Sequence, residues 1–355
     1  MKKLRVLVLC GGQSAEHAVS LVSARTVLSN MDPKRYRPQL VYIDREGRWR
    51  RSRREFLTDH VGASEKALLA GSRPTAPSEV LAAADAVFPV LHGPLGEDGT
   101  MQGLLEVAGV PYVGCGVLGS SVGMDKEVSK RLCLHAGLPT LPYAVVRHAE
   151  QAQALARRLG LPIFVKPARL GSSVGISKVT ESAELMPAVR EAFRYDDKIL
   201  LEKGVTAPRE IECAVLGDPW AKPGDPLELK ASICGEIDAN AEFYTYEAKY
   251  LDPEGAKLKI PAEIPAKTAR TVRELALQAF RVLDGYGMAR ADFLMDRRNG
   301  ALWFNEVNTI PGFTSISMYP RLWKESGVDT PRLIDRLIEL ALRRARTRAR
   351  LKTAP

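Results

Sequence analysis

A chain of 355 residues, 45% hydrophobic and 26% charged, has the composition of an ordinary globular protein, of two or three domains at about 100–200 residues each. No stretch approaches the ~20 apolar residues that span a bilayer, which argues against a membrane protein. The five cysteines (Cys10, Cys115, Cys133, Cys213, Cys234) are scattered without a Cys-x-x-Cys pair, as expected of buried thiols in a cytoplasmic protein and not of a zinc site or disulfide framework. The formal charge of +9 would suit nucleic acid, but six of the positive residues (Arg343, Arg344, Arg346, Arg348, Arg350, Lys352) sit in the last turns and six more arginines lie between 45 and 54. The excess therefore reads as solvated tail and loop, and no nucleic-acid partner is expected.

In chain order, residues 4–9 are a short apolar run broken by Gly11-Gly12, which reads as a buried first strand and not a signal peptide. Ser14 is placed to cap a helix whose apolar positions Val19, Val22, Val27 and Met31 lie near one stripe. A second strand spans 40–43. Residues 44–80, arginine-rich and then containing proline and serine, read as a surface insertion. A third strand at 86–91 leads into the loop His92-Gly93-Pro94-Leu95-Gly96-Glu97-Asp98-Gly99-Thr100 and a helix over 101–108, stopped by Gly109 and Pro111. This alternation predicts a parallel α/β domain over 1–120, with ligands at the carboxyl ends of the strands.

A boundary is expected in the glycine–serine stretch 118–124. Beyond it the pattern predicts a helix at 125–136, a strand at 144–146, a helix at 150–159, a strand at 163–165, a helix at 183–195 and a strand at 199–202. Longer strands at 210–216 and 227–233 suggest a mixed sheet. A helix at 267–283, strands at 291–295 and 302–305 and a last helix from 331 to about 346 follow.

Four constellations can carry chemistry. Asp292 and Glu306 end two apolar runs on adjacent strands, so a hairpin would bring their carboxylates face to face, and bare they would repel. Magnesium would neutralise them, with Asn308 on the same face as Glu306 supplying an amide oxygen; a structural ion pair with Arg290 is the alternative. Lys166 closes an apolar strand before Gly171-Ser172-Ser173-Val174-Gly175, a loop whose N–H groups could approach phosphate oxygens, or a plain hairpin turn. The strand exit Glu202-Lys203-Gly204-Val205, with Glu210 and Glu212 following, could read an adenine edge and ribose hydroxyls, or be surface. The aromatic segment 242–252 could be a lid over a site, or an edge strand.

In this order the segments resemble the ATP-grasp superfamily and, within it, the D-alanine–D-alanine ligases, over roughly residues 4–345. The resemblance rests on Gly11-Gly12-Gln13-Ser14-Ala15-Glu16-His17, His92-Gly93 with Gly96-Glu97-Asp98-Gly99, Met124-Asp125-Lys126, Val165-Lys166-Pro167 with the Gly171–Gly175 loop, Tyr246-Glu247-Ala248-Lys249-Tyr250, and Asn305-Glu306-Val307-Asn308-Thr309 with Pro311-Gly312-Phe313-Thr314.

The resemblance implies an α/β chain: an N-terminal substrate domain (1–120), an ATP-grasp central lobe (121–201), an ATP-grasp C-terminal lobe (202–346) and a disordered basic tail (347–355). It implies a cytoplasmic homodimer that uses ATP and magnesium, which manganese can replace, to join two D-alanine molecules through D-alanyl phosphate for peptidoglycan. By that likeness Asp292, Glu306 and Asn308 hold two metal ions. Lys126 and Lys166 meet phosphates under a loop carrying Ser172 and Ser173. Glu202, Lys203 and Val205 meet adenine, Glu210 meets the ribose, and Phe243 and Asn305 join the nucleotide contacts. Glu16 pairs with the first ammonium while His92 orients that substrate. Arg290 and the Gly312 N–H stabilise the oxyanion, and Ser317 and the Met318 N–H hold the second carboxylate. Lys249 balances charge, and Tyr250 locks the lid on Ser172 and Glu16. Two departures stand out: Ala207-Pro208 lengthens the turn between Glu202 and Glu210 by one residue, and Met318 replaces a common leucine. Rival readings are a D-alanine–D-lactate ligase, discriminated at Tyr250, and a nucleotide- or nucleic-acid-binding protein without turnover, which has no use for Glu16, Arg290 and Ser317 beside the metal carboxylates.

Overall fold

A computed structural model describes residues 2–58, 60–206, 208–239 and 256–352. Three sheets organise it. The first has the order β4-β3-β2-β1-β5, built from β1 (Leu4–Gly11), β2 (Tyr36–Ile43), β3 (Trp49–Ser52), β4 (Arg73–Pro74) and β5 (Ala86–Pro89). β1 is central because both its faces are apolar: Val6 to Cys10 are fully buried, and the strand pairs in parallel with β2 and β5. Helices α1 (His17–Asn30), α2 (Val61–Gly71), α3 (Pro77–Ala82) and α4 (Thr100–Val107) connect or flank it. Gly11, at φ +91°, closes β1 where a Cβ would lie 2.2 Å from the Ile43 carbonyl oxygen, so only glycine fits there.

Helices α5 (Val117–Met124) and α6 (Lys126–His135) lead to the second sheet. Its order β6-β9-β7-β8 joins β6 (Tyr143–Val146), β7 (Ile163–Pro167), β8 (Ser177–Val179) and β9 (Ile199–Lys203), all antiparallel. Helices α7 (Ala152–Leu159) and α8 (Leu185–Ala192) bury Ala152, Ala156, Leu185 and Val189 against it. The third sheet, β12-β11-β10-β13-β14, is antiparallel and consists of β10 (Arg209–Gly217), β11 (Lys230–Ala239), β12 (Ala256–Lys259), β13 (Gly287–Met295) and β14 (Leu302–Asn308). Helix α9 (Ala266–Val282) packs Val272, Ala276 and Phe280 into its core. Helices α10 (Met318–Glu325) and α11 (Thr330–Arg348) bury Tyr319, Trp323, Leu333, Ile334 and Leu337 in one core with Val6, Val8 and Phe88 of the first sheet, so the two ends of the chain are packed together.

Several expectations change. Ser14 does not cap α1: its hydroxyl donates to the His92 carbonyl, 2.6 Å away, and accepts the Glu16 N–H, while Glu16 takes the N-cap position. Val22 is only half-buried, and the helix instead buries Leu21, Ala24 and Leu28 with Val19 and Val27. Residues 44–80 are not an irregular insertion. β3 and β4 extend the sheet, Leu57 and Leu68 enter the core, and the arginines there are used, Arg48 and Arg50 both pairing with the buried Asp44. The 118–124 stretch is helix α5, because its small residues Gly119, Ser120 and Gly123 allow close packing; at Gly119 a Cβ would meet the Asp284 carbonyl oxygen at 2.5 Å. Helix α10 was not among the expected elements, because it is only eight residues long and Pro320 interrupts its apolar period.

The last helix runs through Arg348, and part of its charge is structural and not merely solvated. Arg344 donates to the carbonyls of Gly114 and Tyr112, each at 2.7 Å, and stacks 4.1 Å from the Tyr112 ring centroid. Arg344→Ala leaves both carbonyls unpaired and removes the stacking contact. Denaturant unfolding is expected to show a loss of about 2 kcal/mol, whereas truncation after Arg348 is expected to change stability by less than about 0.5 kcal/mol.

Candidate active site

β13 and β14 form a hairpin whose register sets Asp292 opposite Glu306 and Arg290 opposite Asn308, with an irregularity just after Asp292. On the other side of β13, Glu212 of β10 also faces Asp292. Three carboxylates thus meet on one patch of sheet. Arg290 answers two of them, donating to both Asp292 oxygens at 2.7 Å and lying 3.1 Å from Glu212. The Asn308 amide N–H donates to Asp292 at 2.8 Å, and Lys126 lies 3.2 Å from Glu306. The ion pair with Arg290 is therefore real, and it does not remove the metal reading. Among the described residues no group of three or more His, Cys, Asp or Glu could hold a metal alone. Two opposed carboxylates and an amide are, however, the hard oxygen donors that magnesium takes together with waters and nucleotide phosphates, so the residues fit that ion.

A second charge cluster adjoins the first. Asp125 caps α6 by accepting the Val128 N–H at 3.1 Å, and the helical period sets Lys126 and Lys130 on one face. β7 carries Lys166 and the neighbouring β9 carries Glu202. Glu202 lies fully buried between Lys130 and Lys166, 2.5 Å from each. Burial opposes its charge, but the two ammonium groups outweigh burial and hold the carboxyl below its usual range. Lys203 donates to the carbonyls of Gly160 and Leu161 at 3.0 and 2.9 Å. Val205 follows at the strand exit, and Glu210 enters β10 close enough to add its charge to the field at Lys166. Asn305 is on β14, half-buried. Ser172 and Ser173 are consecutive non-glycine residues in the left-handed region, at φ 51° and 61°. Such conformations persist where surroundings enforce them, and they cluster at ligand loops.

The third cluster lies where α1 begins. The buried Glu16 accepts a hydrogen bond from the Ser172 hydroxyl, which joins the loop after β7 to the first sheet. Gly93 keeps this space open, since a Cβ there would lie 2.6 Å from Glu16. His92 is buried with both ring nitrogens engaged: Nδ1 lies 2.9 Å from the Ile310 carbonyl and Nε2 3.0 Å from the Ser23 hydroxyl. Burial holds its pKa down, so it is neutral with Nδ1 as donor. Ser23 also accepts the Phe313 N–H at 3.1 Å, so His92 fixes the loop that carries Gly312. Ser317 is the N-cap residue of α10, with its hydroxyl 2.7 Å from that of Thr314, and Met318 begins the helix. Phe243, Lys249 and Tyr250 lie outside the described residues.

Sequence reasoning missed Lys130, Ser23 and the role of Glu97. Lys130 was findable as the i+4 partner of Lys126, whereas Ser23 and Glu97 act through contacts distant in the chain. Burial first, then the charges of Glu16 and Glu306, raise the Glu97 carboxyl to about 8, against the N–H groups of Gly93 and Ile310, which favour its ionised form. Its ordinary value is about 4.3, so its contribution to stability is complete below that pH and is lost as pH rises towards 8. Glu97→Gln keeps a neutral polar group there. In nucleotide-free protein, its melting temperature minus that of the wild type is expected to rise steadily between about pH 5 and about pH 9; a difference flat across that window would contradict the assignment.

Two family models match the chain: the D-ala D-ala ligase N-terminus over residues 5–115 and the D-ala D-ala ligase C-terminus over residues 132–339. The D-alanine–D-alanine ligase A of Chromobacterium violaceum is 46% identical over 98% of this chain and 97% of its own length. The D-alanine–D-alanine ligase of Thermoanaerobacter pseudethanolicus is 47% identical over 96% and 97%. Among solved structures, the D-alanine–D-alanine ligase from Coxiella burnetii superposes with a TM-score of 0.83 at 36% identity, covering 98% of this chain and 97% of that one. The VanG D-Ala:D-Ser ligase from Enterococcus faecalis gives 0.83 at 33% identity, covering 96% and 100%. The architecture is the ATP-grasp fold preceded by an N-terminal α/β domain, and the chain belongs to the D-alanine–D-alanine ligase family.

Proposed function

We propose that the protein joins two D-alanine molecules, driven by ATP, to supply D-alanyl-D-alanine for peptidoglycan. The observation that carries this reading is the hydrogen bond from Ser172 to Glu16. It sets a carboxylate suited to an ammonium against a loop suited to phosphates, with Lys126 and the Asp292–Glu306 pair beside them.

Glu16 pairs with the ammonium of the first D-alanine and aims its carboxylate at the γ-phosphate, where a carboxylate oxygen bonds to phosphorus and ADP leaves. Lys126, Lys166 and the loop of Ser172 and Ser173 hold the phosphates, so the rate comes from positioning and charge stabilisation. Asp292, Glu306 and Asn308 would hold two magnesium ions, or manganese, which when bound offset phosphate charge. The strand exit at Glu202, Lys203 and Val205 meets adenine through its backbone, since both Glu202 carboxylate oxygens serve lysines. Glu210 takes the ribose, with Phe243 and Asn305 as further nucleotide contacts. The amine of the second D-alanine loses a proton and attacks the acyl carbon, and phosphate departs. Arg290, aligned by Asp292 and Glu212, and the Gly312 N–H stabilise the oxyanion. Ser317 and the N–H of Met318, at a helix N-terminus, hold the second carboxylate. His92 is a positioning residue for the Gly312 loop. Lys249 balances charge and Tyr250 closes the lid.

Free, buried cysteines suit a reducing cytoplasm, and no helix among the described residues is long and apolar enough to cross a membrane. Exposed Leu104 and Val107 on α4, with Leu118 on the adjoining α5, support a homodimer. Val107→Asp should then move the sedimentation of the wild type towards that of a monomer, and an unchanged dimer would remove this face from the interface.

Glu306→Gln removes charge from the oxygen cluster. Phosphate release with ATP, magnesium and D-alanine is expected to fall at least about a hundredfold while melting stays within a few degrees; wild-type turnover would overturn the metal assignment. Tyr250 is a neutral phenol at ordinary pH, titrating near ~10, and adds no positive charge to repel an incoming amine. With D-alanine and excess D-lactate competing at about pH 7–8, chromatography is expected to find mainly dipeptide. Mainly depsipeptide would assign the chain to the lactate-using ligases.

A further inference from the structure

A cleft of about 710 Å³ lies away from the clusters above, between β11, α9 and the end of α10. Its volume is in the range that takes small ligands. Three separate elements line it with cations: Lys230 from β11 and Arg270 and Arg273 from α9, all exposed, and the half-buried Arg336 from α11. Arg270 and Arg273 are one helical turn apart and so share a face. The guanidinium of Arg273 is tethered by donating to the Ala231 carbonyl at 3.1 Å. Glu274 is the one carboxylate in the lining, and among the described residues none of the four cations has an ion-pair partner. Four cations and one carboxylate around a single hollow give it a net positive field, which favours an anion there.

Apart from Ser326, the rest of the lining is mainly apolar. Ile233, Leu277 and the deeply buried Trp323 supply apolar wall. A hydrated inorganic ion would leave that wall unused, whereas a ligand with an apolar or aromatic body and an anionic end satisfies both halves. The cavity is also firmly built: the Ile233 N–H donates to Ser326 at 2.9 Å and Ser326 donates to the Leu322 carbonyl at 2.7 Å, tying α10 to β11 beneath it. It lies at the far end of α10 from Ser317.

We propose that this cavity is a second binding site, separate from the catalytic one, for a small organic anion that carries a phosphate or carboxylate on an apolar body. Arginine is suited to both anionic groups through paired N–H donors. The test is calorimetric titration of the full chain with 1-naphthyl phosphate, the nucleotide site being kept filled with saturating ADP and magnesium. The expected result is one saturable site, weakened at least about tenfold in the Arg270→Ala/Arg336→Ala variant, with D-alanine-dependent phosphate release unchanged, since neither residue belongs to the catalytic machinery. Inorganic phosphate and 1-naphthol are each expected to bind at least about tenfold more weakly. No saturable binding to the wild type, equal binding to the variant, or equal binding of inorganic phosphate would overturn the proposal. The readout is binding alone, so failure of the proposed ligase reaction would not be mistaken for failure of this site.

Discussion

Two carboxylates held opposite one another on adjacent strands cannot both remain charged and half-enclosed unless cations come to them. The register of β13 and β14 imposes that condition at Asp292 and Glu306, and Glu212 sharpens it from the next strand. The surrounding charges are arranged around this demand. Arg290 is drawn to Asp292, Lys126 reaches from the start of α6 to Glu306, and one helical turn later Lys130 passes to Glu202, which also holds Lys166. The second and third sheets are thereby joined through ionic contacts at the same place where a phosphate chain and hard cations would sit. Replacing Glu202 would leave the two buried ammonium groups of Lys130 and Lys166 without their carboxylate, and breaking a buried pair in this way typically costs ~3–5 kcal/mol. The cluster is therefore a structural hinge as well as a binding surface.

The first sheet is tied to this surface by fewer, more specific links. Ser172 reaches Glu16 from a loop in left-handed conformation, and His92 fastens the segment after Asn308 to α1 through Ser23. Gly93 provides the close approach to Glu16 that the first of these links needs. Because α10 and α11 share a core with β1 and β5, the first and third sheets have little freedom to separate. Motion on substrate binding then falls mainly to the second sheet and the loops it carries.

Much of the candidate site was legible in the sequence because period-two alternation is local: apolar runs ending in Asp292 and Glu306, with Asn308 two residues on, fix which side chains share a face. Lys166 was legible for the same reason, as a charge closing a buried strand. What escaped depends on contacts far apart in the chain. His92 resembled a substrate ligand until Ile310 and Ser23 were found on its two nitrogens. Ser14 has the chemistry of a helix cap, yet its hydroxyl goes to a carbonyl brought in by β5. Residues 44–80 looked irregular because their strands are short and charged, and only pairing with β2 gives them form. The arginines of the last helix looked merely solvated, although Arg344 supports two carbonyls and an aromatic ring.

The central chemical claim is that a carboxylate oxygen of one D-alanine becomes bonded to the γ-phosphorus of ATP before the peptide bond forms. D-Alanine labelled with oxygen-18 in its carboxylate tests this directly. The released inorganic phosphate, analysed by mass spectrometry alongside the dipeptide, is predicted to carry one labelled oxygen for each D-alanyl-D-alanine made. Dipeptide formed together with unlabelled phosphate would contradict the account.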